Sequence, residues 1–234
     1  MNAPQHDPIR AGYEHSWSTH GHKHVSMFEL GIGRLAAANA IIDGGNRLLD
    51  VGCGDGALGA LVRDRFNEVH GVDVSEVALA RAASQGVRTM RADIDREPLP
   101  YGAASFDYVS CLDVIEHVYD PIALLRECHR VTAPGGRLLL TTVNMRYLKF
   151  LWQLAVCGRF PRTSGDRTLF DGGHLHYFAR KNLNDLLADQ GFHVIQQRGI
   201  IGTRRLKFLI PRTEQPLIRE FLSTGIVIVA ERRR

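Results

Sequence analysis

The stretch Leu48-Leu49-Asp50-Val51-Gly52-Cys53-Gly54-Asp55-Gly56 is decisive for the fold class of this chain. An apolar run ends in an acidic residue, and three glycines then alternate within five positions. This pattern is typical of a buried parallel strand that enters a tight turn and then a helix. Because glycine has no Cβ, such a turn can approach a ligand closely, and helix N-terminal amides add hydrogen-bond donors. The stretch therefore predicts a site for a nucleotide-like cofactor.

Strand and helix patterns alternate along the rest of the chain. Strands are predicted at residues 47–51, 68–74, 87–91, 106–112, 137–143, 192–201 and 225–231. Helices are predicted at residues 25–42, 57–65, 75–85, 121–131 and 182–190. Strands that are separated by helices indicate parallel crossover connections. We therefore expect an α/β fold with a doubly wound, seven-stranded, mostly parallel sheet.

The composition is that of an ordinary globular protein. The chain has 234 residues, of which 44% are hydrophobic and 23% charged, with a net charge of +4. The basic residues are dispersed and do not form a stripe with interleaved aromatic residues, which argues against a nucleic-acid substrate. The four cysteines contain no CxxC pair and are expected to be reduced thiols. With no apolar signal segment or membrane-length run, we expect a cytoplasmic protein without stable membrane insertion.

Residues 145–180 interrupt the alternation of strands and helices. A very apolar stretch at residues 147–156 is followed by a loop that contains glycine, arginine and proline. A long insertion after the carboxyl end of a strand is commonly a functional lid, because ligands bind at that edge of an open sheet. We expect a flexible N-terminal flap at residues 1–24 and a domain at residues 25–234 that carries a substrate cap at 145–180.

The glycine turn alone fits two cofactors. Residues 54–59 satisfy the G-x-G-x-x-G pattern, and Asp73 ends the next predicted strand, as a dinucleotide site requires. Asp50, however, places a carboxylate just before the turn, where a pyrophosphate would be repelled. The ammonium group of a methionine moiety would be attracted to that carboxylate. The turn therefore leaves NAD and a methionine-containing nucleoside as alternatives.

Several motifs in order distinguish between them. Residues 49–56 resemble motif I of class I S-adenosylmethionine-dependent methyltransferases, and residues 71–75 resemble the second motif. Residues 91–94, 105–109 and 134–138 are similar to three later signatures of that family. The resemblance implies a Rossmann-like methyltransferase fold, S-adenosylmethionine as the cofactor and S-adenosylhomocysteine as its product. An NAD-dependent oxidoreductase remains the rival enzyme class.

The resemblance also implies a set of cofactor-binding residues. The acid of the second motif binds the ribose hydroxyls, and an acidic and an apolar residue of the third meet the adenine. The predicted cofactor-binding residues are Asp50, Gly52, Cys53, Gly54, Gly56, Asp73, Val74, Asp93, Ile94 and Leu112.

His117 is the candidate catalytic residue. It follows the fourth predicted strand, close to the expected methyl group, and an imidazole titrates in the range that a general base needs. The Glu-His-Val pattern at residues 116–118 recurs in UbiG-like O-methyltransferases, which supports this role. A structural role for His117 at the start of a helix is the alternative. Glu116 is expected to face water, and the alternative is that it orients the imidazole of His117.

The acceptor pocket is expected to involve the N-terminal flap, the end of the fifth strand and the cap. Tyr13 and Trp17 could cover the sulfonium, since aromatic faces attract cations. The histidines of residues 15–24 lack acidic or cysteine partners, so no metal site is predicted. The predicted substrate-pocket residues are Tyr13, Trp17, Asn144, His174 and His176. His174 and His176 could instead anchor the cap.

The residues of the cap also indicate what kind of acceptor and partner the protein has. Its basic residues suit an anionic small molecule or form a solvated face; they are Arg146, Lys149, Arg159, Arg162 and Arg167. Residues 147–156 are expected to be buried in the cap or in a homodimer interface, although a lipid-like acceptor would also suit them. Residues 157–163 and 170–178 resemble MetW-like proteins of methionine biosynthesis. We therefore expect methyl transfer to an oxygen atom of a small-molecule acceptor as the function of the chain. The alternative is a cofactor-binding partner or activator of a metabolic enzyme.

Overall fold

A computed structural model describes residues 14–15, 31–164 and 170–233. Its centre is a seven-stranded sheet with the order β3-β2-β1-β4-β5-β7-β6. The strands are β1 (Gly45–Val51), β2 (Phe66–Asp73), β3 (Arg88–Arg91), β4 (Phe106–Leu112), β5 (Thr132–Val143), β6 (Phe192–Ile200) and β7 (Gly225–Arg232). Strands β1 to β5 pair in parallel, whereas β7 runs antiparallel to β5 and β6. The predicted fold class is confirmed.

Helices cover both faces of the sheet. The α-helices are α1 (Arg34–Asn39), α2 (Ala57–Val62), α3 (Glu76–Ser84), α4 (Pro121–Val131), α5 (Leu148–Ala155) and α6 (Arg180–Asp189). Shorter helical turns lie at Arg63–Arg65, Phe170–Gly173, Arg204–Arg212 and Ile218–Leu222. Side chains alternate between the two faces of β1, so that Leu48 packs into one apolar core and Leu49 into the other. Burial on both faces explains why the central strands are continuous apolar runs.

Side-chain caps fix the start of two helices as the sequence predicts. The Ser75 hydroxyl accepts a hydrogen bond from the backbone amide of Ala78 at the start of α3. At the start of α4 the Asp120 carboxylate accepts from the amides of Ile122 and Ala123, next to Pro121 at the first helical position.

The largest differences from the predicted element bounds lie at the first helix and at the fifth strand. The prediction of a continuous helix over residues 25–42 is wrong, because α1 begins only at Arg34. Gly31 and Gly33, directly before it, have positive φ angles of 68° and 86°. Residues 16–30 lie outside the described part of the chain. Strand β5 begins at Thr132, which pairs with Phe106, although the next pair joins Arg137 to Tyr108. Residues 134–136, which precede the predicted strand, thus form a bulge within β5, with Gly135 at φ +75°.

The apolar stretch of the cap forms α5, and most of it is not buried. Phe150 packs inward, whereas Leu148, Trp152 and Val156 are 55%, 59% and 59% exposed. The expectation that the stretch is buried within the cap is therefore wrong for this chain on its own. No helix in the described ranges combines the length and apolar character needed to cross a membrane. All four cysteines are free thiols, as predicted.

Candidate active site

A cavity of about 1400 Å³ opens at the carboxyl ends of the parallel strands. Gly52 follows β1, Asp73 ends β2 and Leu112 ends β4, and all three line it. The cap contributes part of the opposite wall, including Phe150 and His174. Because ligands of open α/β sheets bind at this edge, the cavity is the candidate active site.

The structure brings most predicted site residues to this cavity or directly behind it. Those that line the cavity are Gly52, Asp73, Val74, Asp93, Ile94, Leu112, His117 and His174. Those that do not line it are Asp50, Cys53, Gly54, Gly56, Asn144 and His176. Tyr13 and Trp17, together with the rest of the predicted flap apart from residues 14–15, lie outside the described residues.

The glycine turn is packed too tightly for side chains. Gly52 has a φ of +68°, and a Cβ on it would lie 2.4 Å from Cγ2 of Val114. Gly56 has a φ of +81°, and a Cβ there would lie 2.8 Å from the backbone of Ala82 in α3. Since L-residues rarely adopt these angles, both positions require glycine. The backbone of Gly52 consequently forms bare cavity wall between β1 and the loop after β4.

Asp73 is held rigidly at the end of β2. One carboxylate oxygen accepts from the Gly54 amide at 2.9 Å, and the other accepts from the Ser75 amide at 2.9 Å. Burial raises the pKa of Asp73, and these amide hydrogen bonds oppose the rise. Each carboxylate oxygen retains a second lone pair, so the fixed side chain can accept further hydrogen bonds from a ligand in the cavity.

Asp50 lies behind the turn rather than on the cavity surface. Its carboxyl group is buried and accepts a hydrogen bond from the Ser110 hydroxyl at 2.7 Å. Burial raises the pKa of Asp50 to about 7, because the ionised form loses its hydration. A cation placed in the cavity beside β1 would favour the ionised form.

The other end of the cavity contains a cluster of Glu116, His117 and His174. The two imidazole rings meet edge to face, with their centroids 4.6 Å apart. Nδ1 of His117 lies 3.2 Å from the carbonyl oxygen of Gly173, and Nδ1 of His174 lies 2.6 Å from the Thr163 hydroxyl. The cap thereby fixes both rings against the loop that follows β4.

Burial changes the protonation of this cluster. It lowers the pKa of His117 to about 4, with a contribution from His174, and it lowers the pKa of His174. Burial, with repulsion by Asp113, raises the pKa of Glu116 to about 8. Glu116 is only 1% exposed, so the expectation that it faces water is wrong. Both imidazoles are neutral near pH 7.

Asn144 and His176, both predicted to lie in the acceptor pocket, have other contacts. The Asn144 amide nitrogen donates to the carbonyl oxygens of Glu220 and Ser223, at 3.0 Å and 3.1 Å. It thus joins the end of β5 to the turn before β7. His176 packs against Phe178 and donates its backbone amide to the carbonyl oxygen of Glu116. Neither side chain is part of the cavity wall.

Sequence reasoning missed one wall of the cavity. Arg34 at the start of α1 forms an ion pair with Asp113 at 3.3 Å, and Thr203 and Arg205 approach from the segment after β6. Asp113 has a φ of +54° and accepts from the Thr141 hydroxyl. Asp113 itself is not among the missed residues, because its place directly after the fourth strand predicts that it lies near the methionine part of the cofactor. No sequence pattern connects the other three, because only the folded sheet brings them together.

The cap side of the cavity is basic. Lys149, Arg162 and Arg205 line it, and no carboxylate in the described ranges forms an ion pair with any of them. The guanidinium of Arg162 lies over the Phe170 ring. Arg146, by contrast, pairs with Glu220 and stacks on Phe221, so it has a structural role. Three cationic side chains therefore line the cavity on this side.

Comparison with known proteins agrees with this geometry. A family model described as a methyltransferase domain matches residues 26–197. The ubiquinone biosynthesis O-methyltransferase of Pseudomonas aeruginosa is 37% identical over 116 residues, covering 46% of this chain and 49% of that protein. The enzyme of the same name from Pseudomonas syringae pv. tomato is 36% identical over 134 residues, covering 52% and 56%. The chain spans about half the length of the curated relatives it matches.

Solved structures show the same architecture. An S-adenosylmethionine-dependent methyltransferase from Mesorhizobium loti is similar with a TM-score of 0.63 and 25% identity, covering 86% of this chain and 99% of that one. A chain from a Haloferax volcanii complex that contains the Trm112 methyltransferase activator is similar with a TM-score of 0.65 and 17% identity, covering 99% and 100%. The latter likeness concerns the fold alone.

The chain belongs to the methyltransferase-domain family and has the Rossmann-like fold of S-adenosylmethionine-dependent methyltransferases. This family is the one that the five sequence motifs predict, and it favours S-adenosylmethionine over the dinucleotide alternative. The family alone leaves open the acceptor and the residues that act on it.

Proposed function

We propose that this enzyme transfers a methyl group from S-adenosylmethionine to a hydroxyl oxygen of a small anionic molecule. The observation that carries the proposal is the division of the cavity into two chemically different ends. The end beside β1 and β2 has fixed carboxylates and bare backbone. The cap end has neutral imidazoles, cationic side chains and the Glu116 carboxyl group, whose pKa is raised to about 8 so that it is largely uncharged near pH 7. The first suits a nucleoside with an ammonium group, and the second suits an anionic acceptor.

The cofactor fits the residues at the first end. Asp73, held by two backbone amides, would accept hydrogen bonds from the ribose hydroxyls. Asp93 and Ile94 would meet the adenine, Leu112 would contact the methionine chain, and the Gly52 backbone would allow close approach. Asp50, with Cys53, Gly54 and Gly56, would support the site from behind. The Asp50 carboxylate would attract the ammonium group through the turn.

When bound, S-adenosylmethionine would supply a methyl group on a sulfonium, and in-line attack by an oxygen nucleophile on the methyl carbon would release the thioether. The chain's own contribution is to align the acceptor and to exclude water from the reacting atoms. Phe150 and the His117–His174 pair form the wall beside the acceptor position. Burial lowers the pKa of His117 to about 4, below the range that the sequence argument assumes, so its imidazole is neutral near pH 7 and only weakly basic. We propose that it accepts a hydrogen bond from the acceptor hydroxyl and so assists the loss of the acceptor proton.

The basic wall supports an anionic acceptor. Lys149, Arg162 and Arg205 line the cavity from two separate segments and would attract a carboxylate or phosphate group of the acceptor. Oxygen as the methylated atom is supported by the relatives that are named as O-methyltransferases of ubiquinone biosynthesis. The match covers only about half the length of those relatives. The anionic character of the acceptor is therefore proposed from the residues that line the cavity of this chain.

Methyl transfer to a dihydroxybenzoate and to its uncharged methyl ester tests the proposal. We expect the acid to be the better acceptor, with methylation at a hydroxyl oxygen shown by mass spectrometry. Replacing Lys149 and Arg162 together with Gln should lower kcat/KM for the acid by about threefold to tenfold and leave that for the ester nearly unchanged. Equal kcat/KM values for acid and ester in the wild-type enzyme would contradict an anionic acceptor.

The role of His117 is tested separately. His117→Gln should lower kcat by about 100-fold or more while S-adenosylhomocysteine still binds as in the wild type. An unchanged kcat would show that His117 has only a structural role.

A further inference from the structure

We propose that His174 takes the proton of the acceptor hydroxyl, and that Asp171 and Thr163 position the His174 ring for this step. The inference rests on the proposed function, because it names the atom that receives the proton during methyl transfer to a hydroxyl oxygen. His174 is then a further catalytic residue, whereas Asp171 and Thr163 act through it and are positioning residues. All three belong to the cap, and His174 and Thr163 line the cavity.

Asp171 is the fixed end of a hydrogen-bond chain. It is 3% exposed, and one carboxylate oxygen accepts from the backbone amides of Thr163 and Ser164 at 2.7 Å and 2.9 Å. The other oxygen accepts from the hydroxyls of Thr163 and Tyr177 at 2.7 Å and 3.0 Å. Burial tends to raise the pKa of Asp171, but these hydrogen bonds outweigh burial and lower it. Asp171 is therefore an anion near pH 7.

The chain continues from Asp171 through Thr163 to His174. An ionised carboxylate can only accept a hydrogen bond, so the single hydroxyl proton of Thr163 is donated to Asp171. The Thr163 oxygen lies 2.6 Å from Nδ1 of His174 and accepts there, so Nδ1 carries the proton of the neutral ring. Nε2 consequently holds the lone pair. One nitrogen of His174 thus anchors the ring in the cap, and the other is left for an acceptor hydroxyl in the cavity.

The backbone of the cap is unusual at this point. Asp171, Gly172 and Gly173 have consecutive φ angles of +48°, +68° and +82°. A positive φ is uncommon for a residue with a Cβ, and such residues concentrate at functional sites. The turn directs the Asp171 carboxylate to Thr163 and the Gly173 carbonyl to Nδ1 of His117. One turn therefore orients both imidazoles.

The surroundings of the two rings favour His174 as the base. The rings are in contact, so positive charge on one opposes protonation of the other, and burial together with His174 lowers the pKa of His117. Burial also lowers the pKa of His174, but the charges of Asp171 and Asp113 oppose that decrease. Nδ1 of His117 faces a neutral carbonyl, whereas the hydroxyl at Nδ1 of His174 is bonded to an anion. An imidazolium is therefore better stabilised at His174.

The proposed step couples proton transfer to methyl transfer. The O–H bond of the acceptor breaks, its proton forms an N–H bond at Nε2 of His174, and the electron pair stays on oxygen. That oxygen forms a bond to the methyl carbon, while the carbon–sulfur bond breaks and its electron pair stays on sulfur. The His174 imidazolium then releases its proton to solvent. Because the rings adjoin, a hydroxyl held by His117 can turn its O–H bond to His174.

Two replacements of Thr163 test the chain of hydrogen bonds. Thr163→Val keeps the size of the side chain but removes the hydroxyl between Asp171 and His174, whereas Thr163→Ser retains it. We expect Thr163→Val to lower kcat for dihydroxybenzoate by about tenfold to 100-fold, with little change in KM or in binding of S-adenosylhomocysteine. Thr163→Ser should restore most of the wild-type kcat. His174→Gln should lower kcat by at least about 100-fold while S-adenosylhomocysteine still binds.

Thr132→Val is the matched control. It removes another buried threonine hydroxyl, which donates to the Cys128 carbonyl at 2.6 Å. Thr132 begins β5 and pairs with Phe106 at the start of β4, so it lies at the sheet edge opposite the cavity. We expect the control to have the kcat of the wild type.

Two further measurements separate proton removal from a merely structural role. A nitro-substituted dihydroxybenzoate that is already ionised at the assay pH needs no proton acceptor. Thr163→Val and His174→Gln should therefore methylate it nearly as fast as the wild type does. Nitrogen NMR of the imidazoles, with the His174 signal identified by its loss in His174→Gln, should place the proton at Nδ1 in the wild type. Thr163→Val should show a mixture of the two neutral forms.

Three results would each overturn the inference. They are a wild-type proton at Nε2 of His174, an unchanged kcat in His174→Gln, and a loss of activity that is equally large for the ionised acceptor. A wild-type chain that methylates no hydroxyl would refute the proposed function together with this inference. Methylation that is unchanged in His174→Gln would refute this inference alone, so the two failures are distinguishable.

Discussion

At the scale of single residues, Asp50 shows how the site is built at the expense of stability. Its carboxyl group is enclosed behind the glycine turn and has the Ser110 hydroxyl as its hydrogen-bond donor. One neutral donor is poor compensation for burying a negative charge. The charge has a use if a cation binds on the cavity side of the turn, because attraction to that cation would offset the cost of burial.

The raised pKa of Asp50 predicts a pH-dependent stability. An acid whose pKa rises from 3.8 to about 7 on folding destabilises the fold progressively as pH rises between those values, and the full cost is present above about 7. Asp50→Asn removes this cost and keeps a hydrogen-bond acceptor for Ser110. The variant should therefore gain stability relative to the wild type, by a few kcal/mol, between pH 5 and pH 8.

Chemical denaturation of both proteins without cofactor, at several pH values, measures this difference. Asp50→Asn leaves the other titrating groups in place, so their contributions cancel in the comparison. A difference in unfolding free energy that does not change with pH would contradict the assignment of a raised pKa to Asp50.

Glu116 illustrates what sequence reasoning could not reach at this scale. It is a charged residue in the loop after β4, and a charged loop residue is ordinarily exposed. The structure buries it because the carbonyl oxygen of Glu116 accepts hydrogen bonds from the amides of Leu175 and His176, far along the chain. His117 could be placed near the cofactor from the end of β4 alone, whereas its contact with His174 depends on how the cap folds back.

At the scale of elements, the glycine turn and the strand ends were the most predictable features. Strand β4 (Phe106–Leu112) and helix α4 (Pro121–Val131) have the predicted bounds, because a dense apolar run and an Asp-Pro start define them locally. Helix α1 was less predictable, since the breaks at Gly31 and Gly33 lie within an otherwise helical pattern. Helix α5 was predicted as apolar, but its exposure depends on which elements pack against it.

Replacing Gly52 in the glycine turn should destabilise the protein more than replacing Gly135 in β5. Gly52→Ala combines a positive φ with a clash against Val114, whereas Gly135→Ala has a similar φ of +75° and open space around the new Cβ. We expect Gly52→Ala to lower the free energy of unfolding by at least about 1 kcal/mol more than Gly135→Ala does. It should also weaken binding of S-adenosylhomocysteine.

Chemical denaturation measures the stability of the two variants, and calorimetry measures their binding of S-adenosylhomocysteine. Both replacements strain the backbone, so any additional effect of Gly52→Ala comes from its contact with Val114. Similar effects of both replacements on stability and on ligand binding would show that the tight packing at Gly52 has no part in the site.

Helix α5 has one packed face and one exposed face, which predicts opposite results for two of its residues. Phe150 is buried beside Tyr147, and Phe150→Ala should cost about 3 kcal/mol of stability. Trp152 is 59% exposed, and Trp152→Gln should change stability by less than about 0.5 kcal/mol. A large loss for Trp152→Gln, measured by thermal unfolding at low protein concentration, would indicate that its face is covered in solution.

At the scale of the whole molecule, the sheet order brings separate segments to one cavity. Strands β1, β2 and β4 lie side by side at the centre, so their carboxyl ends supply Gly52, Asp73 and Leu112 to a single edge. The cap and the segment after β6 then close the opposite side. Parallel strands with crossover helices make the first half of this arrangement predictable from sequence, whereas the cap side depends on contacts between distant segments.

Calorimetric titration with S-adenosylhomocysteine tests the central claim most directly, because it measures the cofactor cradle without an acceptor. We predict one binding site per chain, weakened by about tenfold to 100-fold in Asp73→Asn, which loses charge-assisted acceptance of hydrogen bonds. The exposed Asp64→Asn should bind like the wild type, and NAD should give no heat of binding. Binding that is absent in the wild type, or equally strong in Asp73→Asn, would contradict the account.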